Sequence, residues 1–375
     1  MRWVRRLLIV LLLGVLAFYG GGGWYFSDRV EADALQVHQY VPEELTVVKV
    51  APDSITIRDP APANLPLRSP GVFALQWKGG LGRISGPPKI KGDLVTRTWR
   101  ADTGQPAPDQ IVELNQDDIS ASALPAGEQM VTYDSPLGAM PARFRPGKGT
   151  TWAVLVHGKG AKPAEMERMS RAMRPANLPT LIINYRNDPG VPQDRSGRYG
   201  YGVTEWRDLE AAVAYAHKHG ANQFVLGGNS MGGAVVASYL KHAKPTDVLG
   251  VVLDAPMLDF EQTLEWGAAQ QELPMVGKGL PESLTWVAKR ISEARFGLRW
   301  APTDYLRDTS WVREPVLIVH GTKDLTVPLS TSRQLARAER RVRLVEFPGA
   351  GHCQSWNFDP KAYDETIAAF VKQVT

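Results

Sequence analysis

Cysteine is almost missing: the 375-residue chain holds one, Cys353. A lone thiol can close no intramolecular disulfide and build no zinc cluster, so a disulfide framework and a cysteine-based metal centre are both excluded. Net charge is scarce too. Forty-three Lys and Arg against 39 Asp and Glu leave +4, and the basic residues are not interleaved with aromatics as in nucleic-acid binders, so no nucleic acid is expected. Arg333, Arg337, Arg340, Arg341 and Arg343 cluster on helix-like sequence, which reads as a solvated face. No internal repeat is visible. The glycine-rich loop at residues 195–206 lacks the spacing of a dinucleotide fingerprint, and Thr204 within it fits the N-cap of a following helix. What remains, at 43% hydrophobic and 22% charged residues, is a globular protein with room for one large domain and a smaller addition.

Formal charge vanishes altogether over residues 7–26, which follow Arg2, Arg5 and Arg6. As a helix those residues would be about 30 Å long, the thickness of a bilayer's hydrocarbon core. The arginines would stay cytoplasmic and Trp24 and Tyr25 would reach the far headgroups, leaving the rest of the chain outside the cytoplasm. The rival is a cleaved signal peptide and secretion, because residues 7–18 alone have signal-like length. Its cleavage candidate, Ala32-Asp33-Ala34, lies far downstream. An uncleaved transmembrane anchor over residues 1–27 is therefore expected, with the glycines at 20–23 weakening its last turns.

Residues 40–125 form a small β-rich region, with short β-branched or alternating runs such as "SITIRD" and "LVTRTWR" between Pro, Gly and Asp turns. Packing against the main domain, or spacing it from the bilayer, is its default role. From residue 128 the pattern changes. Apolar runs "TWAVLV", "TLIINY", "QFVLGG", "LGVVLDAP", "PVLIVHG" and "VRLVEFP" alternate with amphipathic helical stretches, which implies a mostly parallel central sheet flanked by helices. Functional residues of such sheets sit at the carboxyl ends of the strands. Residues 259–311 interrupt the alternation as a helical insertion. Its Trp266, Trp286, Trp300 and Trp311 read equally as packing or as the lining of a pocket for apolar substrate groups.

Three strand ends carry polar residues suited to nucleophilic chemistry. Ser230 lies in Gly228-Asn229-Ser230-Met231-Gly232, Asp324 follows "VLIVHGTK", and His352 follows "LVEFPGAG". A serine hydroxyl is a poor nucleophile near neutral pH. An imidazole can take its proton and return it to the leaving group, and a carboxylate on the far side of the ring fixes the tautomer. His38, His157, His217, His219, His242 and His320 compete with His352, but His217 and His219 fall at a helix end and His157 and His320 precede glycines, where loop-bracing bonds are expected. Asp254, after the preceding strand, competes with Asp324.

The G-x-S-x-G pattern and the chain order serine, acid, histidine resemble the α/β-hydrolase family over residues 128–375, with Ser230 at the nucleophile elbow. That resemblance implies an α/β-hydrolase fold with a helical cap at about 259–311, catalytic Ser230, Asp324 and His352, and no cofactor or metal. It also implies an oxyanion hole of backbone N–H groups, here Met231 together with Lys159 or Gly160 in "HGKG". Lys159 departs from the glycine-rich H-G-G-G of many lipases and esterases, and its ammonium is expected to face solvent rather than a substrate anion. The implied activity is cleavage of small-molecule or lipid-like carboxylic esters through an acyl-enzyme. A serine aminopeptidase-like peptidase, or a noncatalytic membrane-anchored binding protein on the same fold, stands as the alternative.

Overall fold

The computed structural model describes residues 2–37, 43–59, 65–116, 124–273 and 277–375. His38 and the start of the β-rich region at residue 40 lie outside the described residues. An N-terminal helix, α1 (Arg2–Arg29), continues through a wider turn over Val30–Leu35. Its span is long and apolar enough to cross a membrane, with mean hydropathy 2.0.

The β-rich region is a closed barrel. Strands β1 (Glu43–Val50), β2 (Ser54–Arg58), β3 (Phe73–Trp77), β4 (Gly80–Lys91), β5 (Leu94–Thr103) and β6 (Ile111–Asn115) join in the order β1-β2-β5-β4-β3-β6. Alternation explains the closure: Ile55 and Ile57 of β2 and Val95, Arg97 and Trp99 of β5 are buried, while Thr56, Thr96 and Thr98 between them are not fully so. Arg97 breaks the apolar set. Its guanidinium donates to the Leu67 and Gly71 carbonyls at 2.8 Å each, and burial lowers its pKa to about 10. The barrel fastens to the main domain through Asn357, whose Nδ2 donates to the Val72 and Gln116 carbonyls and whose own carbonyl accepts from the Val72 N–H.

The main domain is an eight-stranded sheet. Its strands are β7 (Gln129–Ser135), β8 (Gly138–Arg145), β9 (Thr151–Val156), β10 (Thr180–Ile183), β11 (Gln223–Asn229), β12 (Val248–Asp254), β13 (Val316–Gly321) and β14 (Val342–Phe347). They lie in the order β14-β13-β12-β11-β9-β10-β8-β7. The six from β9 onward run parallel, and β7 and β8 add antiparallel at one edge. Two apolar clusters cover the faces, which is why β9, β11, β12 and β13 read as nearly unbroken apolar runs. Helices α2 (Glu167–Met173), α3 (Trp206–Lys218), α4 (Met231–Ala243), α7 (Leu329–Ala338) and α8 (Pro360–Val374) flank the sheet, while α5 (Phe260–Gln270) and α6 (Glu282–Phe296) form the insertion between β12 and β13.

One local expectation is corrected. The N-cap of α3 is Glu205, not Thr204. The buried Glu205 carboxylate instead gathers the N–H groups of Gly200, Gly202 and Thr204, closing the glycine-rich loop on itself. The glycines at 20–23 do not end α1; Gly22 and Gly23 are where it lies against α6. The chain just beyond is tied to the main domain, because Arg198 pairs with Glu31, Tyr201 donates to the Ala34 carbonyl at 2.8 Å and the Tyr199 N–H donates to Leu35 at 2.9 Å. A chain starting at residue 36 is therefore expected to melt several degrees below one starting at residue 22, a loss of roughly 2 kcal/mol or more from these bonds at about 0.5–1.5 kcal/mol each. Equal melting temperatures by calorimetry would contradict the docking.

Candidate active site

Residue 230 sits where β11 ends and α4 begins, with φ 49° and ψ −117°, a conformation non-glycine residues seldom adopt. Neighbouring backbone holds it there: the Ser230 N–H donates to the Asp254 carbonyl at 2.9 Å, and its carbonyl accepts from Gly233 and Met257. The flanking glycines are needed for approach. A Cβ on Gly232 would lie 2.1 Å from the Val156 carbonyl oxygen, one on Gly228 2.6 Å from Gly232, and one on Gly233 2.6 Å from Pro256. The helix can thus start directly under the sheet edge and lift the serine above it.

His352 follows β14, and its Nε2 lies 2.9 Å from Ser230 Oγ while its Nδ1 lies 2.7 Å from Asp324 Oδ2. Asp324, on the loop after β13, has all its acceptor sites engaged: Oδ1 accepts from the Thr326 and Val327 N–H groups at 2.8 Å, and Oδ2 also meets His320 Nε2 at 3.1 Å. Burial pushes this carboxyl up, but the two imidazoles and their hydrogen bonds outweigh it and hold the group well below the usual carboxylate range. For His352, burial disfavours the charged ring, yet the Asp324 charge and hydrogen bond prevail and leave its pKa raised, with Glu165 and Asp254 adding.

Asp254 meets a different fate at the end of the adjacent strand. It is fully buried, its Oδ1 has no hydrogen-bond partner, and desolvation raises its pKa to about 6 despite nearby Arg168, His320 and His352. The imidazole of His352 turns to Asp324. Of the other histidines, His157 bridges the Gly158 carbonyl at 2.8 Å and Asp188 at 3.1 Å, His320 joins Ser332 to Asp324, and His217 and His219 bond carbonyls at the end of α3. His242 stacks on Trp206.

The loop after β9 comes close to the elbow, for a Cβ on Gly158 would be 3.3 Å from that of Ser230. In this loop Gly158 N–H donates to Glu165 at 2.7 Å and Gly160 N–H donates to the Tyr199 hydroxyl at 3.3 Å, whereas the N–H groups of Lys159 and Met231 have no acceptor among the described residues. The Lys159 ammonium does not simply face solvent: it donates to the Asp33 carbonyl below α1, and burial lowers its pKa. Of the four insertion tryptophans, Trp300 and Trp311 are packed inside, while Trp266 and Trp286 are exposed. Sequence reasoning missed Glu165, Tyr199 and Asp188, which brace the loop; an acid just after Pro163, where a helical turn begins, was the available cue for Glu165 alone.

The alpha/beta hydrolase family model matches residues 153–366, more than half of the sequence, and the chain belongs to that family. Among curated proteins, it is similar to the AB hydrolase superfamily protein YisY of Bacillus subtilis, 25% identical over 183 residues that cover 41% of this chain and 68% of that one. Among solved structures, it is similar to the Pyrococcus furiosus esterase Pf2001 in two crystal forms. In space group P212121 the TM-score is 0.54 at 17% identity, covering 68% of this chain and 96% of the esterase, and in P21 it is 0.51 at 17%, covering 66% and 92%. At such identities the structural likeness shows the fold alone. Membership of the family and this fold support a hydrolase acting on a small molecule.

The elbow's tolerance is directly measurable. Gly232→Ala forces Cβ against backbone on β9, where no side chain can yield, so it is expected to cost about 3 kcal/mol or more. A urea midpoint unchanged from the parent would show that α4 is not packed as described.

Proposed function

We propose that the chain is a membrane-anchored serine hydrolase that cleaves carboxylic esters through an acyl-enzyme, with Ser230 as nucleophile, His352 as general base and Asp324 as its orienting carboxylate. One observation carries the reading: the unbroken run of contacts from Ser230 Oγ to His352 Nε2 at 2.9 Å and from His352 Nδ1 to Asp324 at 2.7 Å. In the first half-reaction the imidazole accepts the hydroxyl proton as Oγ attacks the ester carbonyl, then returns it to the departing alcohol. In the second it deprotonates a water that attacks the acyl-enzyme, and Oγ takes the proton back. Ionised Asp324 stabilises the imidazolium in both.

The tetrahedral oxyanion needs donors that are not already engaged. Met231 at the start of α4 and Lys159 in the loop after β9 meet that requirement, and Gly160, occupied by Tyr199, does not. The apolar span of α1 after three arginines supports a single-pass anchor with a cytoplasmic N-terminus and the hydrolase domain on the far side. The preference for esters over peptides draws on the likeness to the Pyrococcus furiosus esterase Pf2001.

A fluorophosphonate should label Ser230 in the folded protein, and Ser230→Ala should abolish labelling and lower kcat against p-nitrophenyl esters by about 10³- to 10⁶-fold. Failure to label folded protein would remove the catalytic reading, and faster turnover of aminoacyl amides than of esters would replace it with the peptidase.

The pH profile tests the base. His352 must be neutral to accept a proton, and its pKa is raised, so kcat/KM should climb with pH along a limb above the ordinary imidazole value of about 6.5. Asp324→Asn removes the main cause of that rise and leaves the burial that opposes it. The limb should then move to lower pH, with kcat down about 10⁴-fold. A limb that stays in place would mean that another group sets it.

A further inference from the structure

The anchor helix does not end where the hydrolase begins. From Tyr19 to its end at Arg29, α1 runs parallel to the cap helix α6. Tyr19 meets Ser283 at 2.9 Å, Gly22 lies under Leu284, and Gly23 admits Val287 and Ile291 so closely that a Cβ would be 2.6 Å from Val287 Cγ1. Further along, Ser292 donates to Ser27 at 3.1 Å, and Arg295 pairs with Asp28 at 2.7 Å while lying 4.0 Å over the Trp24 ring. The two helices are thus one body, and their register sets how deep the cap can sit.

Spanning a hydrocarbon core of about 30 Å takes about 20 residues, which from Leu7 runs to Phe26. The first turn of α6 lies beside Tyr19, seven residues or about 10 Å earlier on the helix. A cap carried clear of the bilayer would leave too little apolar helix to cross it. The surface at that edge is suited to the boundary between headgroups and acyl chains. Trp286 on α6 is 56% exposed and has the Arg290 guanidinium 5.6 Å from its ring, and Trp266 on α5 is 38% exposed. Both tryptophans border a cleft of about 780 Å³ between α5 and α6, which Leu280 and Pro328 line on its apolar side and Glu265, Glu282 and Lys289 on its polar side. Pro328 lies four residues after Asp324, on the same loop.

We propose that the edge of the cap formed by the start of α6, with Trp286 and Trp266, is a bilayer-docking surface seated in the headgroup and acyl boundary of the leaflet from which α1 emerges. This rests on the membrane reading above and deepens it: the partner of the surface is the phospholipid bilayer itself, and the cleft opens where lipid-like esters reside. Trp and Tyr favour this layer, and a mixed surface such as this one can sink its tryptophans about 5–10 Å into it while Glu282 and Arg290 keep to the headgroups.

Nitroxide depth measurement tests it without reference to turnover. The native Cys353 is buried and will not compete for label. Leu12→Cys, Trp286→Cys and Glu365→Cys, each in the full chain and each melting within a few degrees of the parent, are spin-labelled and reconstituted into phosphatidylcholine vesicles. The oxygen-to-nickel-chelate accessibility ratio should be highest at position 12, at least about threefold higher at 286 than at 365, and lowest at 365. A ratio at 286 equal to that at 365, with position 12 in lipid, would overturn the docking alone. Position 12 in water would overturn the docking and the membrane reading together. Neither result bears on whether Ser230 is a nucleophile.

Discussion

Close backbone approach between β9 and the start of α4 is the constraint on which the site depends. The Val156 carbonyl and the Gly232 Cα leave no room for a side-chain carbon, and Gly228 also stands too close to Gly232, from the strand side, for one. That contact forces the chain to turn within one residue, and Ser230 takes the backbone strain of the turn, its φ of 49° held by bonds to Asp254, Gly233 and Met257. A looser bend would relieve the serine and lower it into the sheet edge. The strain is sustained by two large apolar clusters packed on either side of the sheet.

Electrostatics then separates two carboxylates that start from similar positions at the ends of neighbouring strands. Asp254 and Asp324 are both buried, so solvation penalises both charges. Asp324 recovers more than it loses because two backbone N–H groups and two imidazoles converge on it. Asp254 keeps one oxygen unpaired and stays partly protonated near pH 6. The number of donors decides the outcome, rather than depth of burial. His320 belongs to this arrangement as a second donor to the same acid, held from behind by Ser332.

Much of this was legible in the sequence, for physical reasons that can be named. Strands buried on both faces must be apolar throughout, so β9, β11, β12 and β13 announced a covered parallel sheet, and glycines crowded around one serine announced a tight bend. The β-rich region was visible as strands, but its closure into a barrel depends on pairing β1 with β6, whose partners such as Glu44 and Glu113 are nearly seventy positions apart, which no local pattern encodes. Lys159 was misread because its partner is a backbone carbonyl 126 residues away. Thr204 had the chemistry of a cap, yet the neighbouring Glu205 reaches three N–H groups with one carboxylate and leaves no role for the hydroxyl. The glycines of α1 carried a true signal with two meanings, low helix propensity and close helix contact. The packing of Val287 and Ile291 against Gly23 selects the second.

The parts added to the hydrolase domain hold its two flanks. On one side the stretch after α1 clamps the loop following β9 through Asp33 and Lys159, and the glycine-rich loop before α3 through Glu31, Ala34 and Leu35. On the other side the barrel accepts both hydrogens of the Asn357 side-chain amide, five residues after His352, and Arg168 completes the grip by donating to the Oδ1 of that amide at 2.6 Å. Cys353, between the imidazole and that anchor point, is itself held at φ 51° and buried, so the segment has little freedom to swing. A buried amide with its donors and acceptors all satisfied by rigid partners fixes position more firmly than an apolar contact of the same area, because each lost bond exposes a polar group with no water to replace it. The histidine loop and the loop facing the elbow are therefore each held by chain outside the sheet as well as by the sheet itself.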